Sequence, residues 1–160
     1  MTMAIIKVQT ALFDPGAELN QLHQHDCGVG AVASFVGYVR NHNAGDSVQG
    51  FFLEHAPGLT ENALQRIVAQ AKARWPLHYV RVLHRVGTLS VGEPIVFVGV
   101  ASTHRAAAFS ACAFIMDLLK TQAPFWKKEL TPAGERWVEG RASDELAAQR
   151  WDSYIPPKVT

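Results

Sequence analysis

The sequence predicts one mixed α/β domain, a sandwich in which helices cover one face of a largely antiparallel sheet. Its 160 residues are 48% hydrophobic and 18% charged, which is enough apolar material for a core and excludes a disordered chain. Strand and helix patterns follow one another in the order ββα, ββα, ββ. Glycine and proline mark the turns, and no repeat or linker divides the chain.

The first elements are a short helix and two strands. Asp14 followed by Pro15 is typical of an N-cap and a first helical residue, which predicts a helix to about residue 25. Alternating residues rich in Val, Phe and Tyr predict a strand over 30–40. A polar loop over 41–47 and a second strand over 48–55 follow, and the two strands are expected to form a long hairpin.

The first long helix begins after the break at Pro57-Gly58. Thr60 is the predicted cap, and Pro76 ends the helix because proline lacks a backbone donor. The apolar positions that repeat at helical spacing are Leu64, Ile67, Val68, Ala71 and Trp75.

The second half repeats this arrangement. A strand over 79–86, a turn over 87–94 and a strand over 95–101 precede the second long helix, which Ser102 or Thr103 caps and which runs through Lys120. Short strands over 125–130 and 135–139 then flank a turn at 131–134.

Composition narrows the function. A formal net charge of +1 argues against a broad basic face for nucleic acid, so any anion site must be local. The first ten residues lack a basic flank and a long apolar stretch, and the nearly apolar run 106–116 is too short to cross a bilayer. We therefore expect a cytoplasmic protein.

Neither metal nor cofactor is expected. Cys27 and Cys112 form no framework of bridges, and Cys112 in its apolar helix is expected to be a buried, inert thiol. The cluster at 23–27 contains ligand types at close spacing, but no second ligand pair with metal-site spacing accompanies it. No glycine-rich nucleotide or coenzyme loop is present.

The segment 117–129 is the strongest candidate for an anion site. Lys120 ends the long helix, Pro124 stops it, and aromatic residues then precede Lys127 and Lys128. Aromatic surface beside an ammonium group lowers the local dielectric, which strengthens its action on a carboxylate, thiocarboxylate or phosphate. The structural alternative is that Lys120 caps the helix C-terminus and that the other two lysines are a solvated strand end.

A second candidate lies at the start of that helix, in Ser102-Thr103-His104-Arg105. Free backbone N–H groups and the helix dipole favour an anion there, and His104 and Arg105 add side-chain donors. Arg105 opposes the dipole, a local cost that a bound phosphate would remove. Simple capping by Ser or Thr is the alternative.

A third candidate is the strand end Tyr38-Val39-Arg40, which enters a polar loop. Strand ends and loops often present binding groups. Taken alone, Arg40 is more simply a surface charge.

Four ordered blocks carry a resemblance to a known family: residues 38–43, 53–61, 98–106 and 117–129. They resemble the large, catalytic subunit of molybdopterin synthase, and the similarity runs from about residue 28 to residue 151. It implies an α/β hammerhead fold with an added antiparallel subdomain. The predicted domain therefore spans 1–151, followed by a tail over 152–160.

The resemblance also implies partners and a reaction. The chain would form a homodimer within a heterotetramer, with a small ubiquitin-like sulfur carrier docked at each end. The carrier's C-terminal Gly-Gly thiocarboxylate would enter a pocket and supply two sulfurs to cyclic pyranopterin monophosphate, which becomes the dithiolene of molybdopterin.

The resemblance assigns roles residue by residue. Lys120 is the main catalytic residue, stabilising a tetrahedral intermediate or shuttling protons, and Lys127 assists it. Arg40, His104 and Arg105 hold the pterin and its phosphate. The neighbouring backbone completes the pocket at Tyr38, Val39, Lys128 and Glu129.

Helix geometry restricts how these residues meet. Arg105 and Lys120 are 15 residues apart, so their backbones lie about 22 Å apart on one helix at about 1.5 Å per residue. Either each chain has two anion sites or a pocket is shared across a two-fold axis, and we favour sharing. The rival functions are a non-catalytic dimeric anion-binding or scaffold protein of the same fold and a lysine-dependent acyltransferase.

Overall fold

The computed structural model describes residues 2–154. Those residues form ten strands, four α-helices and a short 3-10 helix at Arg150–Asp152. The strands are β1 Met3–Gln9, β2 Ala31–Tyr38, β3 His42–Asn43, β4 Asp46–Ser47, β5 Gly50–His55, β6 Tyr79–Arg85, β7 Gly87–Ser90, β8 Pro94–Ser102, β9 Phe125–Thr131 and β10 Gly134–Val138. The helices are α1 Pro15–Asn20, α2 Leu59–Arg74, α3 Arg105–Gln122 and α4 Ala142–Gln149.

The larger core lies between the first sheet and the two long helices. The sheet has the strand order β1-β6-β8-β2, in which β1 and β6 are parallel and the other neighbours antiparallel. Every residue of β6 is buried, because both faces of the sheet are covered. Helices α2 and α3 pack on one face, and Leu22, which follows α1, packs on the other. The predicted mixed α/β class is confirmed.

A second, fully antiparallel sheet has the order β10-β9-β5-β7. Its inner face joins a small apolar cluster around Phe51 and Leu53, which also contains Val39 and Leu89. The predicted hairpin of the strands at 30–40 and 48–55 is therefore wrong, because β2 pairs with β8 whereas β5 pairs with β9 and β7. The polar loop between them instead contains its own two-residue hairpin, β3 with β4.

The predicted turn at 87–94 also needs correction, since Gly87–Ser90 is the edge strand of the second sheet. Gly87 has a φ of 87°, a conformation that glycine adopts at little cost, at the point where the chain passes from one sheet to the other. Only the stretch after Ser90 forms the turn into β8.

Capping was predicted correctly for α1 alone. The Asp14 carboxylate accepts a hydrogen bond from the Gly16 N–H at 3.0 Å. At α2 the Glu61 carboxylate accepts from the Gly58 N–H at 2.6 Å, so Thr60 is not the cap. Thr60 is fully buried instead, accepting from the Ala56 N–H and donating to the Pro124 carbonyl.

Neither Ser102 nor Thr103 caps α3. His104 is the N-cap residue, and its side chain makes no capping bond. The Ser102 hydroxyl donates to the Pro76 carbonyl at 2.7 Å, while the Thr103 hydroxyl bonds the His78 ring at 2.8 Å. Both side chains therefore tie neighbouring loops to the end of β8 and leave the first N–H groups of α3 without a side-chain cap.

The C-terminal region was predicted least well. Helix α4 was missed, and Trp151 is buried in the main core, where Tyr154 packs against its ring. The boundary between a domain at 1–151 and a tail at 152–160 stays a prediction, and residues 155–160 lie outside the described part. Within residues 2–154, no helix combines the length and apolar character needed to cross a bilayer.

Candidate active site

A cleft opens where the C-terminal end of α3 meets the inner face of the second sheet. It consists of two adjoining cavities of about 390 and 410 Å³. Both are lined by Arg40, Phe51, His84, Ile95, Leu119, Lys120 and Lys127. This arrangement brings three of the predicted site residues, Arg40, Lys120 and Lys127, into one space, hereafter called the cleft.

Three elements bring these cations together. Lys120 lies in the last turn of α3, and Arg40 follows β2. Lys127 lies on β9 opposite Leu53, and alternation along the strand turns Lys127 and Glu129 toward the cleft. Pro124 ends the helical stretch and starts the strand, so the sequence places the two lysines on adjoining elements.

Lys127 is held in partly dry surroundings. Its ammonium nitrogen lies 4.8 Å from the centre of the Phe51 ring. Burial lowers the pKa of Lys127, and the nearby Lys120, Arg141 and Arg40 lower it further, while the Glu129 carboxylate acts in the opposite direction. An incoming anion would therefore meet a positive charge that water screens poorly.

Glu129 organises the wall of the cleft and is almost fully buried, with 1% of its surface exposed. Its carboxylate accepts a hydrogen bond from the Asn43 amide at 2.9 Å and lies 3.7 Å from the Arg136 guanidinium. Asn43 in turn accepts from Arg141 at 2.7 Å. The small β3–β4 hairpin is thus fastened to β9 beside Lys127.

Tyr38 and Glu129 also line the cleft, at the end formed by β2 and the loop after it. Val39 does not line it, because the side chain is buried in the small core. The Val39 N–H donates to Glu93 at 3.0 Å, and its carbonyl accepts from Gly92 at 2.8 Å. Val39 therefore anchors the end of β2, from which Tyr38 and Arg40 face the cleft.

Lys128 points to the opposite face of the second sheet. Its nitrogen lies 5.4 Å from the centre of the Trp137 ring and forms an ion pair with Glu135 at 3.1 Å. Within one chain its side chain takes no part in the cleft.

His104 and Arg105 lie at the far end of α3. Both are exposed, and neither lines either cavity. One chain thus places the predicted phosphate-binding pair at one end of the helix and Lys120 at the other.

Sequence reasoning missed His84, whose ring lines both cavities. It is 6% exposed and stacks on Phe125 with 3.9 Å between ring centres. Burial lowers its pKa to about 4, helped by the charge of Lys120, so the ring is neutral near pH 7. The available clue was a polar residue in phase with Val80 and Val82 on the apolar face of a strand.

The cysteines and histidines outside the cleft form no further centre. Burial raises the pKa of the Cys112 thiol to about 12, which keeps it protonated, and Cys27 is exposed. Residues 2–154 contain no group of three or more His, Cys, Asp or Glu side chains placed to hold a metal ion.

Fold and cleft together define an α/β protein with a cationic, partly desolvated cleft. The chain belongs to the MoaE protein family, whose family model matches residues 8–122. The resemblance inferred from the four sequence blocks is therefore confirmed.

Comparisons with individual proteins agree with this family assignment. The chain is 64% identical to the molybdopterin synthase catalytic subunit of Pseudomonas aeruginosa over 147 residues, covering 92% of this chain and 98% of that protein. The MoaE protein structure from Burkholderia ambifaria is 48% identical, with a TM-score of 0.80 over 95% of this chain and all of that one. Molybdopterin synthase from Staphylococcus aureus is 25% identical, with a TM-score of 0.77 over 83% of this chain and 96% of that one.

Proposed function

We propose that the chain is the catalytic subunit of a molybdopterin synthase. It transfers sulfur from the C-terminal thiocarboxylate of a small carrier subunit to cyclic pyranopterin monophosphate, giving the molybdopterin dithiolene. The observation that carries this proposal is the meeting of Arg40, Lys120 and Lys127 in one aromatic-lined cleft. A relative that is 64% identical, the molybdopterin synthase catalytic subunit of Pseudomonas aeruginosa, also supports the proposal.

The cleft suits reactants that are both anionic. The carrier presents a thiocarboxylate and the pterin carries a phosphate, so cations in poorly hydrated surroundings stabilise both reactants. Lys120, at the mouth of the cleft, acts on the transferring group, and the desolvated Lys127 assists it. Arg40, which lines the same cleft, holds the pterin.

Catalysis by this chain requires two kinds of partner. The sulfur donor is the carrier, whose flexible C-terminal Gly-Gly end enters the cleft. The second partner is another copy of the chain, whose His104 and Arg105 bind the substrate phosphate. This sharing is supported by the length of α3, which separates Arg105 and Lys120 by about 22 Å. The assembly is a homodimer of this chain with one carrier at each end.

The proposed compartment is the cytoplasm. The two cysteines are free thiols, one exposed and one buried, in keeping with a reducing environment. The proposed unit of function is the domain over residues 1–151.

Reconstitution tests the proposed function. Purified chain is mixed with thiocarboxylated carrier and cyclic pyranopterin monophosphate, and dithiolene product is measured. We expect product only in the complete mixture, and none when the carrier ends in an ordinary carboxylate. A complete mixture without product would contradict the proposal.

A further inference from the structure

One ring nitrogen of His84 is hydrogen-bonded to the backbone, and the other is available to a ligand in the cleft. Nδ1 lies 2.9 Å from the Arg85 carbonyl oxygen, which can only accept, so Nδ1 carries the proton. Nε2 of the neutral ring then has a free lone pair, and it has no hydrogen-bond partner within residues 2–154. The tautomer is thus set by the fold.

The ring cannot turn away from this position easily. It stacks on Phe125 with an angle of 18° between the ring planes, and strand β6 holds its backbone between β1 and β8. Protonation is opposed by burial and by the charge of Lys120. A neutral acceptor is therefore maintained next to the cationic groups of the cleft.

Among the polar side chains that line the cleft, only His84 and Glu129 are buried. The carboxylates of Glu139 and Asp144 also line it, but Glu139 is exposed and Asp144 is half-buried. Lys120, Lys127 and Arg40 present donors only. The buried Glu129 already accepts from Asn43 and faces Arg136. A ligand N–H that faces the buried wall of the cleft would therefore find its free acceptor at His84 Nε2, and without His84 it would stay unpaired there at a desolvation cost.

We propose that His84 binds the substrate directly, accepting a hydrogen bond at Nε2 from an N–H group of the pterin ring, and so orients the substrate for sulfur transfer. This inference rests on the proposed function, because the pterin is the ligand that carries the donor. The cations of the cleft hold the anionic groups, and His84 recognises the neutral heterocycle.

Two substitutions separate this role from a structural one. His84→Asn places an amide near Nδ1, which keeps the donor to Arg85 and removes the acceptor at Nε2. His84→Gln carries its amide to the Nε2 position. Calorimetric titration with cyclic pyranopterin monophosphate should show about tenfold weaker binding for His84→Asn, the effect of one lost hydrogen bond, and binding within about threefold of wild type for His84→Gln.

The outcomes distinguish this inference from the proposed function. No pterin binding by the wild-type chain overturns both. Wild-type affinity in a folded His84→Asn variant overturns the role of His84 alone, as does equal weakening in both variants, which a purely structural role predicts.

Nitrogen NMR of the wild-type His84 ring keeps the test available if the variants fail to fold. We expect a ring protonated at Nδ1 whose Nε2 resonance moves when pterin is added. An Nε2 resonance that stays unchanged at saturating pterin would overturn the inference.

Discussion

Lys120 and Lys127 share the cleft under different conditions. Lys120 is exposed at the end of α3, where a carrier terminus can reach it, whereas Lys127 is partly buried over Phe51 with a lowered pKa. The exposed Lys120 side chain is free to move with the transferring group. The partly buried Lys127 ammonium is held in place, so it stabilises negative charge from a fixed position. The two residues are therefore expected to contribute unequally.

Replacing Lys120 by alanine should give a folded but nearly inactive protein. Loss of one electrostatic contact to a reacting group typically lowers the rate by about 10²-fold or more. Lys127→Ala should show a milder defect, and Lys7→Ala, an exposed lysine on β1, serves as the control. Turnover of dithiolene product measures the effect, and near-normal turnover by Lys120→Ala would remove this residue from the catalytic role.

His84 should make the protein less stable in acid. Its pKa is about 4 in the folded chain and 6.5 in its ordinary state. Between these values the unfolded chain binds a proton that the folded chain does not, so the free energy of unfolding falls as pH drops from 6.5 to 4. Over this pH range the folded chain loses about 3 kcal/mol of its free energy of unfolding through His84.

Denaturant unfolding at pH 7 and pH 4.5 tests this with His84→Gln as the comparison. The variant lacks the titrating ring, so it should lose less stability on acidification than wild type. Other acid-sensitive groups, such as Asp26 and Glu93 with their lowered pKa values, contribute to both proteins and cancel in the difference. An identical pH dependence in the two proteins would contradict the buried, neutral ring.

At the scale of elements, the two ends of α3 present different site residues. Its C-terminal turn carries Lys120 into the cleft, while its N-terminus presents His104 and Arg105 to solvent. The buried middle of the helix contains Ala111, Phe114 and Ile115, which fix it against the first sheet. A rigid helix of this length cannot bring both ends to one small ligand.

Arg105→Ala and Lys120→Ala should therefore complement each other. If the pocket is shared, a mixed dimer has one cleft with both lesions and one with neither, and activity should recover to about half that of wild type. The measurement is product formation after subunit exchange, with each variant alone as control. No recovery, once mass spectrometry has verified exchange, would favour two separate anion sites in each chain.

The start of α2 is connected to the start of β9 through one hydroxyl. Thr60 accepts from Ala56 at 3.0 Å and donates to the Pro124 carbonyl at 2.9 Å, close to the strand that carries Lys127. Thr60→Val keeps the volume and leaves two part-buried backbone groups, the Ala56 N–H and the Pro124 carbonyl, without this partner. The expected loss in the free energy of unfolding is about 1–3 kcal/mol.

Thr88→Val is the matched control for Thr60→Val. Thr88 is exposed on β7, so its substitution should change stability by no more than about 0.5 kcal/mol. Equal stability of the two variants in denaturant unfolding would show that the Thr60 hydroxyl does not tie α2 to β9.

For the whole molecule, local patterns predicted the two long helices well and the sheet pairings poorly. The apolar positions of α2 repeat at helical spacing, and Trp75 and Pro76 mark its end, so they could be found without a structure. The pairing of β2 with β8, by contrast, depends on residues more than fifty positions apart. Strand β1 was also missed. It is an edge strand whose pairing partner, β6, is likewise more than fifty residues away in sequence.

The candidate site shows the same division. Lys120 and Lys127 lie close together in sequence, so one segment predicted them, whereas the roles of Arg40 and Glu129 came from the family resemblance. His84 could not be found in that way. Its burial and its neutral state depend on Phe125 and on Lys120 of α3, which lie far from it in sequence and come close only in the folded chain. Arg141 likewise reaches the cleft only through the return of the chain before α4.

Tracing the transferred sulfur tests the central claim most directly. The carrier thiocarboxylate is labelled with ³⁴S, mixed with the chain and cyclic pyranopterin monophosphate, and the product is weighed by mass spectrometry. We predict that both sulfurs of the dithiolene carry the label and that the chain alone yields no product. Product formed without carrier or added sulfide, or an unlabelled sulfur derived from an exposed thiol such as Cys27, would contradict sulfur transfer from the carrier.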